Sequence, residues 1–179
     1  MTIIGRDRPG LVDSVASRVT EHGGNWLESR MSRLGGHFAG ILRVEIPSEQ
    51  EPALVRALKA LEAGGLTVVV HSERPEPASA NRRLSALDIV GQDRPGIIRQ
   101  ISRVLANHNV NVEELHSERS SAAMSGEMLF RARARLHIPA SCNVAELRKE
   151  LEKIAEDLIV DISLQELKSV GNECENQRV

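Results

Sequence analysis

The sequence predicts an α+β protein made of two ferredoxin-like domains. Each is expected to have the order βαββαβ, with a four-stranded antiparallel sheet and two helices on one face. Three observations predict this fold: a six-residue motif that occurs twice, the same series of strand and helix periods after each occurrence, and a proline-containing stretch between them. The predicted boundaries are 1–72 for the first domain, 73–83 for a linker, 84–166 for the second domain and 167–179 for a polar tail. We expect the domains to pack side by side.

The internal repeat carries most of this prediction. Gly5–Gly10, with the sequence GRDRPG, returns as Gly91–Gly96, with the sequence GQDRPG, 86 positions later. Further residues match at the same offset: His22 with His108, Asn25 with Asn111, Glu28 with Glu114, and Gly40 with Gly126. The second copy then has a longer hairpin, after which Ile-Pro at 46–47 matches Ile-Pro at 138–139. A match of this extent indicates duplication of one unit.

The second copy shows the periods most clearly. Alternation of apolar residues predicts strands, at Leu84–Val90, Val112–Arg119, Met128–Ile138 and around Val160, Ile162 and Leu164. Helical spacing predicts two helices, one through Ile97, Ile98, Ile101, Val104 and Leu105 and one through Val144, Leu147, Leu151, Ile154 and Leu158. Asn143 is a candidate N-cap for the second of these helices.

The first copy follows the same order. Helical spacing predicts a first helix through Leu11, Val12, Val15 and Val19 and a second helix through Leu54, Ala57, Leu58 and Leu61. The second strand is predicted to begin at Trp26, the third strand to contain Phe38, Leu42, Val44 and Ile46, and the last strand to be Val68–His71. Gly64-Gly65 is expected to end the second helix. The first strand has only Met1–Ile4 before Gly5, so neighbouring backbone groups would lack partners. We expect an upstream start or another segment to fill this gap.

Composition and charge disfavour several classes of function. The 179 residues carry a net charge of -2, whereas proteins that bind nucleic acid through phosphates have a basic excess. No apolar run approaches the roughly 20 residues of a membrane-spanning helix, and no secretion leader is visible, so we expect a cytoplasmic protein. The two cysteines, Cys142 and Cys174, and the six histidines show no metal or disulfide spacing. No catalytic motif is present, so we expect neither enzymatic activity nor a cofactor.

The turn after each first strand is the best candidate for a ligand site. Glycine lets other atoms approach the backbone, and the following helix offers free N–H groups to an anion such as an amino-acid carboxylate. Asparagine at the start of the second strand adds a donor and an acceptor. The candidate residues are Asp7, Gly10, Leu11 and Asn25 in the first copy and Asp93, Gly96, Ile97 and Asn111 in the second. The structural alternative is that the glycines only shape the turns, the aspartates cap the helices and the asparagines form turns.

Three alternating arginines are a weaker candidate for a partner site. Arg131, Arg133 and Arg135 fall on one face of one strand. They could form a basic docking patch, but a solvated outer face opposite Ala132, Ala134 and Leu136 is the favoured interpretation. His22 and His108 lie near helix C-termini and are interpreted as structural.

The two turns, each followed by asparagine at the start of a strand, resemble the ACT domain family. The resemblance covers residues 1–72 and 84–166. It implies regulatory modules that bind amino acids at interfaces between paired domains. Two copies alone, at this length, are similar to the glycine cleavage system transcriptional repressor family. That resemblance implies action through a LysR-type transcription regulator, with no direct contact to nucleic acid.

Two functions therefore remain in view. The first is a non-catalytic regulator of transcription that responds to a small amino acid, such as glycine, through a protein partner. The alternative is a regulatory subunit or ligand sensor for an enzyme of amino-acid or one-carbon metabolism. Exposed sheet edges would also allow a homo-oligomer.

Overall fold

The structure, a computed structural model, describes residues 1–72, 83–121 and 128–167. The chain divides into two compact units, and the division falls inside the predicted linker 73–83. Nearly all of this linker, the predicted hairpin loop at 122–127 and the predicted tail beyond Leu167 lie outside the described residues. Arg83, predicted as the last linker residue, already belongs to a strand of the second copy.

The first copy has the predicted order of elements. These are β1 Thr2–Arg6, α1 Leu11–Glu21, β2 Asn25–Leu34, β3 His37–Glu45, α2 Glu51–Lys59 and β4 Leu66–Val69, with a 3-10 turn at Ala60–Gly64 after α2. The last strand begins and ends two residues earlier than the predicted Val68–His71. Gly65, with a φ of 81°, ends the 3-10 turn, and the next residue enters the sheet at once.

The second copy repeats this order with longer strands. Its elements are β5 Arg83–Gln92, α3 Ile97–Asn107, β6 Asn111–Ser121, β7 Met128–Ile138, α4 Val144–Leu158 and β8 Val160–Glu166. The predicted N-cap is confirmed, since the Asn143 side chain accepts hydrogen bonds from the backbone N–H groups of Ala145 and Glu146 at 3.2 and 3.3 Å.

Both sheets have the strand order of a ferredoxin-like fold. The order is β2-β3-β1-β4 in the first copy and β6-β7-β5-β8 in the second, and every pair of neighbours is antiparallel. The first strand of each copy therefore lies inside its sheet. β1 is short, as predicted: it pairs with β3 over Thr2–Arg6, whereas β5 pairs with β7 over Arg83–Gln92.

Each copy has an aliphatic core between its sheet and its two helices. In the first copy the buried residues are Ile3, Leu11, Val15, Val19, Leu42, Leu54, Leu58, Leu66 and Val68. In the second they are Leu87, Ile89, Ile97, Ile101, Val104, Leu105, Val110, Ala132, Ala134, Leu136, Ile138, Leu147, Leu151, Leu158, Val160 and Leu164. The helical stripes predicted from the sequence thus face the sheets, as amphipathic helices do, except that Val12, predicted in the stripe of α1, is 44% exposed.

The first glycine of each motif is a packing residue. A Cβ built on Gly5 would lie 2.7 Å from the carbonyl oxygen of Gly65, and one built on Gly91 would lie 2.5 Å from Cγ1 of Val160. These positions therefore allow β4 and β8 to approach the central strands closely.

The first helix of each copy ends in the same way. Gly24 donates to the carbonyl of Val19, and Val110 donates to that of Leu105, both at 2.9 Å. This six-to-one bond, with a left-handed residue just after the C-cap, is a Schellman motif. The C-caps are His22 and His108, which agrees with their structural interpretation.

Candidate functional site

The turn between the first strand and the first helix is an open backbone site in both copies. Gly10 and Gly96 are the N-cap residues of α1 and α3, with φ values of 88° and 96°, and no side chain caps either helix. This left-handed conformation favours glycine. A Cβ on Gly10 would have no heavy atom within 4 Å, and one on Gly96 would meet only the Gln100 side chain, at 4.0 Å. The first helical turn thus has N–H groups that no side chain caps, next to a glycine with open space beside it, a combination that suits an anion.

The aspartates of the motif do not cap the helices, so this part of the structural alternative is wrong. The Asp7 carboxylate pairs with Arg33 at 2.5 Å, and Asp93 pairs with Arg119 at 2.6 Å. Both arginines lie near the end of the second strand of their copy, and they too are 86 positions apart. Arg33 and Arg119 were not predicted as site residues, although their spacing, equal to the offset of the repeat, could have identified them.

Backbone hydrogen bonds add to this connection between turn and hairpin. The N–H of Asp7 donates to the carbonyl of Gly36 at 3.0 Å, and that of Asp93 donates to Met128 at 2.9 Å. Each candidate turn is therefore attached to the hairpin of its own copy by an ion pair and a main-chain bond, which positions it.

The side chains of Leu11 and Ile97 point into the core. They are 4% and 2% exposed. Any contact of these two residues with a ligand would therefore be made by their backbone.

The asparagines lie far from the turns within each copy. Asn25 is paired with Glu45 at one end of β3, whereas Arg6, next to the turn, is paired with His37 at the other end. Eight residue steps at about 3.3 Å each give a separation of about 26 Å. The second copy has the same arrangement, with Asn111 opposite His137 and Gln92 opposite Leu129. The structure thus does not bring turn and asparagine together in one copy.

The three β7 arginines lie on the solvent face of the second sheet. Ala132, Ala134 and Leu136 between them are buried. Arg133 pairs with Asp88 at 3.1 Å, and Arg135 lies 3.8 Å from Glu114. Arg131 is directly opposite Glu118 on β6 in the register. Carboxylates thus flank this row, which agrees with the favoured interpretation of a solvated outer face.

Three further features of the described residues concern a cysteine, metal-binding side chains and the lengths of the helices. Burial and the negative charge of Glu146 raise the pKa of the Cys142 thiol, which disfavours the nucleophilic thiolate at neutral pH. In the described ranges, His, Cys, Asp and Glu side chains form no group of three suited to a metal ion. No helix in those ranges is long and apolar enough to span a bilayer.

Comparison with known families decides what the repeated unit is. The ACT domain family matches residues 1–71 and, separately, residues 85–137. The chain belongs to the ACT domain family. It contains two ACT domains in tandem, as the sequence predicted, and each has the two-layer fold described above.

Relatives resemble either both ACT domains or one of them. The chain is 24% identical over 162 residues to the glycine cleavage system transcriptional repressor of Escherichia coli, with 88% of this chain and 84% of that protein covered. It is 36% identical over 81 residues to a UPF0237 protein of Methanopyrus kandleri, with 45% of this chain and 84% of that protein covered.

Two solved structures match this chain over most of its length. An unknown protein from Galdieria sulphuraria has a TM-score of 0.82 and 30% sequence identity, over 93% of this chain and 95% of its own. A structure described as a glycine cleavage system transcriptional repressor has a TM-score of 0.68 and 20% identity, over 93% and 94% of the two chains. The second likeness concerns the fold alone.

Proposed function

We propose that this chain is a non-catalytic regulatory protein that responds to a small amino acid, glycine or a similar one, and acts on transcription through a protein partner. The observation that carries the proposal is the duplicated turn at Gly10 and Gly96. In both ACT domains a helix begins without a side-chain cap, at a glycine with open space around its α-carbon.

The physical basis is the chemistry of an uncapped helix N-terminus. Its first N–H groups have no partner within the helix, and the helix dipole favours a negative charge there. The carboxylate of an amino acid supplies that charge together with two acceptor oxygens. The Asp7–Arg33 and Asp93–Arg119 pairs hold the turns against the hairpins, so less free energy would be spent on ordering the site during binding.

Asn25 and Asn111 enter the proposal as residues of a shared site. Since each is about 26 Å from the turn of its own copy, they would contact the ligand only if a second ACT domain brought its turn to them. We propose that the domains pair side by side, within the chain or between chains of a homo-oligomer, to form such a site. Asn25→Ala and Asn111→Ala would then weaken amino-acid binding without changing the stability of the free protein.

The choice of a protein partner rests on charge and on similarity. A net charge of -2 gives no basic excess for phosphates, and the similar E. coli protein is a transcriptional repressor. We propose that the partner is a transcription regulator of the LysR type and that the complex is cytoplasmic. Ligand binding would act on it only if the bound and free forms differ in affinity for the partner.

Thermal shift and calorimetry with glycine, serine and other small amino acids test the sensor function. Gly10→Asp and Gly96→Asp place a carboxylate beside the free amides and should abolish the response. Gly10→Asn and Gly96→Asn are the matched controls, because asparagine has nearly the same shape, tolerates the left-handed region and carries no charge. The absence of both binding heat and thermal shift at millimolar amino acid would contradict the proposal.

Affinity capture with and without glycine tests the partner. A LysR-type regulator whose retention changes with glycine supports the proposal. Retention of a metabolic enzyme, and not of a LysR-type regulator, would favour the alternative function of a regulatory subunit. No observation on this chain directly supports that alternative.

A further inference from the structure

The second ACT domain carries a groove that the sequence alone did not reveal. It has a volume of about 630 Å³ and follows α3 from its first residue to its last turn, beside α4. Its lining residues are Pro95, Gly96, Arg99, Gln100, Arg103, Val104, Asn107 and Ile154.

The groove combines uncompensated positive charge with an apolar floor. Arg99 and Arg103 are four residues apart and therefore lie on the same face of α3. Both are exposed, and neither forms an ion pair or hydrogen bond within the described part of the chain. The lining contains no carboxylate, while Val104 and Ile154 supply apolar surface. The β7 arginines differ in this respect, because carboxylates flank them.

The fold itself does not require this charge. At the equivalent positions of the first ACT domain, 86 residues earlier, α1 has Asp13, Ser17 and Glu21 where α3 has Arg99, Arg103 and Asn107. The same helix face is therefore acidic in one domain and basic in the other, although three equivalent positions of each helix are buried; α3 also buries Val104, where α1 has Arg18. Arg99 and Arg103 are exposed and take no part in the core, so their charge points to a role outside the fold.

We propose that the α3 groove is the docking site for an acidic amphipathic helix of a protein partner. Eleven residues of α3 at 1.5 Å each give a length of about 16 Å, which matches about three turns of a partner helix. Two carboxylates four residues apart on that helix would pair with Arg99 and Arg103, and an apolar side chain between them would cover Val104 and Ile154. This inference rests on the proposed function in one respect, that the chain acts through a protein.

Nuclear magnetic resonance on the ¹⁵N-labelled full chain tests the groove. The probe is a designed helical peptide of about 14 residues, with glutamates at four-residue spacing and leucines between them. The control peptide has glutamine at each glutamate. We expect the acidic peptide to shift the amide signals of Arg99, Arg103 and Asn107, which lie beyond the turn at Gly96, and the glutamine peptide to leave them unchanged. No shift at about 1 mM acidic peptide, the limit of weak binding, would overturn the proposal.

Charge-reversal variants locate the contact. Arg99→Glu with Arg103→Glu should weaken peptide binding at least about tenfold, because attraction becomes repulsion across the interface. Arg131→Glu with Arg133→Glu makes the same change of net charge on the β7 strand and should leave binding unchanged. All four side chains are exposed, and a retained amide spectrum verifies folding. Equal loss of binding in both double variants would mean nonspecific attraction and would refute the groove.

Two further arms separate this inference from related ones. A short single-stranded oligonucleotide is tested in the same way. If it shifts the α3 signals and the peptide does not, the docking proposal is overturned in favour of nucleic-acid binding. The thermal response to glycine is measured on the same variants. If the wild type responds to glycine but does not bind the peptide, only the groove proposal is refuted. If the wild type binds the peptide but does not respond to glycine, only the sensor function is refuted.

Discussion

The two ACT domains share a backbone plan but differ in chemistry on the sheet face that points away from the helices. The strand register places Ile41, Thr2 and Val69 in one row across the first sheet, and Arg133, Asp88 and Ser163 in the equivalent row of the second. Ile41 and Val69 are 64% and 47% exposed, so the first row is an apolar surface. The second row contains an exposed ion pair.

The positions that keep the same type of residue in both domains show why the difference is confined to the surface. The pairs Ile3 and Ile89, Gly5 and Gly91, Gly10 and Gly96, and Leu11 and Ile97 occupy the same positions in the core and in the turn. Packing and backbone conformation constrain these positions. The outer rows are free of such constraints, so duplication followed by divergence changed the surfaces and left the frame.

The largest expected effect is on the two cores. Ile3→Ala and Ile89→Ala remove equivalent side chains that are 0% and 1% exposed, so each should lower the free energy of unfolding by about 2–5 kcal/mol. The described core of the first domain has nine buried residues and that of the second has sixteen. We therefore expect Ile3→Ala to unfold its domain at a lower urea concentration than Ile89→Ala unfolds its own.

Hydrogen exchange resolved by peptide identifies which domain loses protection in each variant. Each substitution should deprotect the domain that carries it. Equal loss of protection in both domains from one substitution would show that the two cores do not act as separate units.

The two glycines of each motif should differ in their response to alanine. At Gly91 a Cβ would lie 2.5 Å from Val160 and 2.8 Å from the Ile159 carbonyl oxygen, so Gly91→Ala should cost about 1–3 kcal/mol through steric overlap. At Gly10 the space is open, and the cost comes only from its positive φ, about 1–2 kcal/mol. Urea denaturation measures both. A smaller loss for Gly91→Ala than for Gly10→Ala would contradict the packing role.

The sequence was sufficient for the fold and for part of the site. Periodicity along the chain determines which face of each element is apolar, and the repeat at Gly5–Gly10 and Gly91–Gly96 marks both turns. The Asp7–Arg33 pair was not predicted, because it depends on the register of a hairpin 26 residues along the chain. The α3 groove was not predicted either, because its floor includes Ile154 from another helix, and the packing of two helices does not follow from a local sequence pattern.

Asn25 shows the opposite case, a candidate residue that the sequence names but whose place in the fold local patterns do not give. It was named together with the turns as a candidate for contact with an amino acid. Local sequence patterns do not show that α1 returns the chain to the opposite end of the sheet before β2 begins. Only the strand pairing reveals that Asn25 and the Gly10 turn are at opposite ends.

A smaller effect separates the second helices. α4 begins at Asn143, whose side chain caps two N–H groups, whereas α2 begins at Gln50 without a side-chain cap. Asn143→Ala should therefore cost about 1 kcal/mol, and Gln50→Ala should change stability little. Thermal unfolding of the two variants against wild type provides the measurement. Similar losses at both positions would mean that α4 does not depend on its cap.

The smallest effect on stability is expected where the two sheet faces differ most. Arg133→Ile combined with Asp88→Thr gives the second domain two of the three residues of the equivalent row in the first. Because the Arg133–Asp88 pair is exposed, its loss should cost less than about 1 kcal/mol. The exchange also creates a second apolar face, so self-association should rise, as sedimentation velocity would detect. Arg133→Lys, which keeps the charge, should leave the sedimentation profile unchanged. A loss of stability well above this value would mean that the outer row supports the fold, and the freedom inferred for that surface would be wrong.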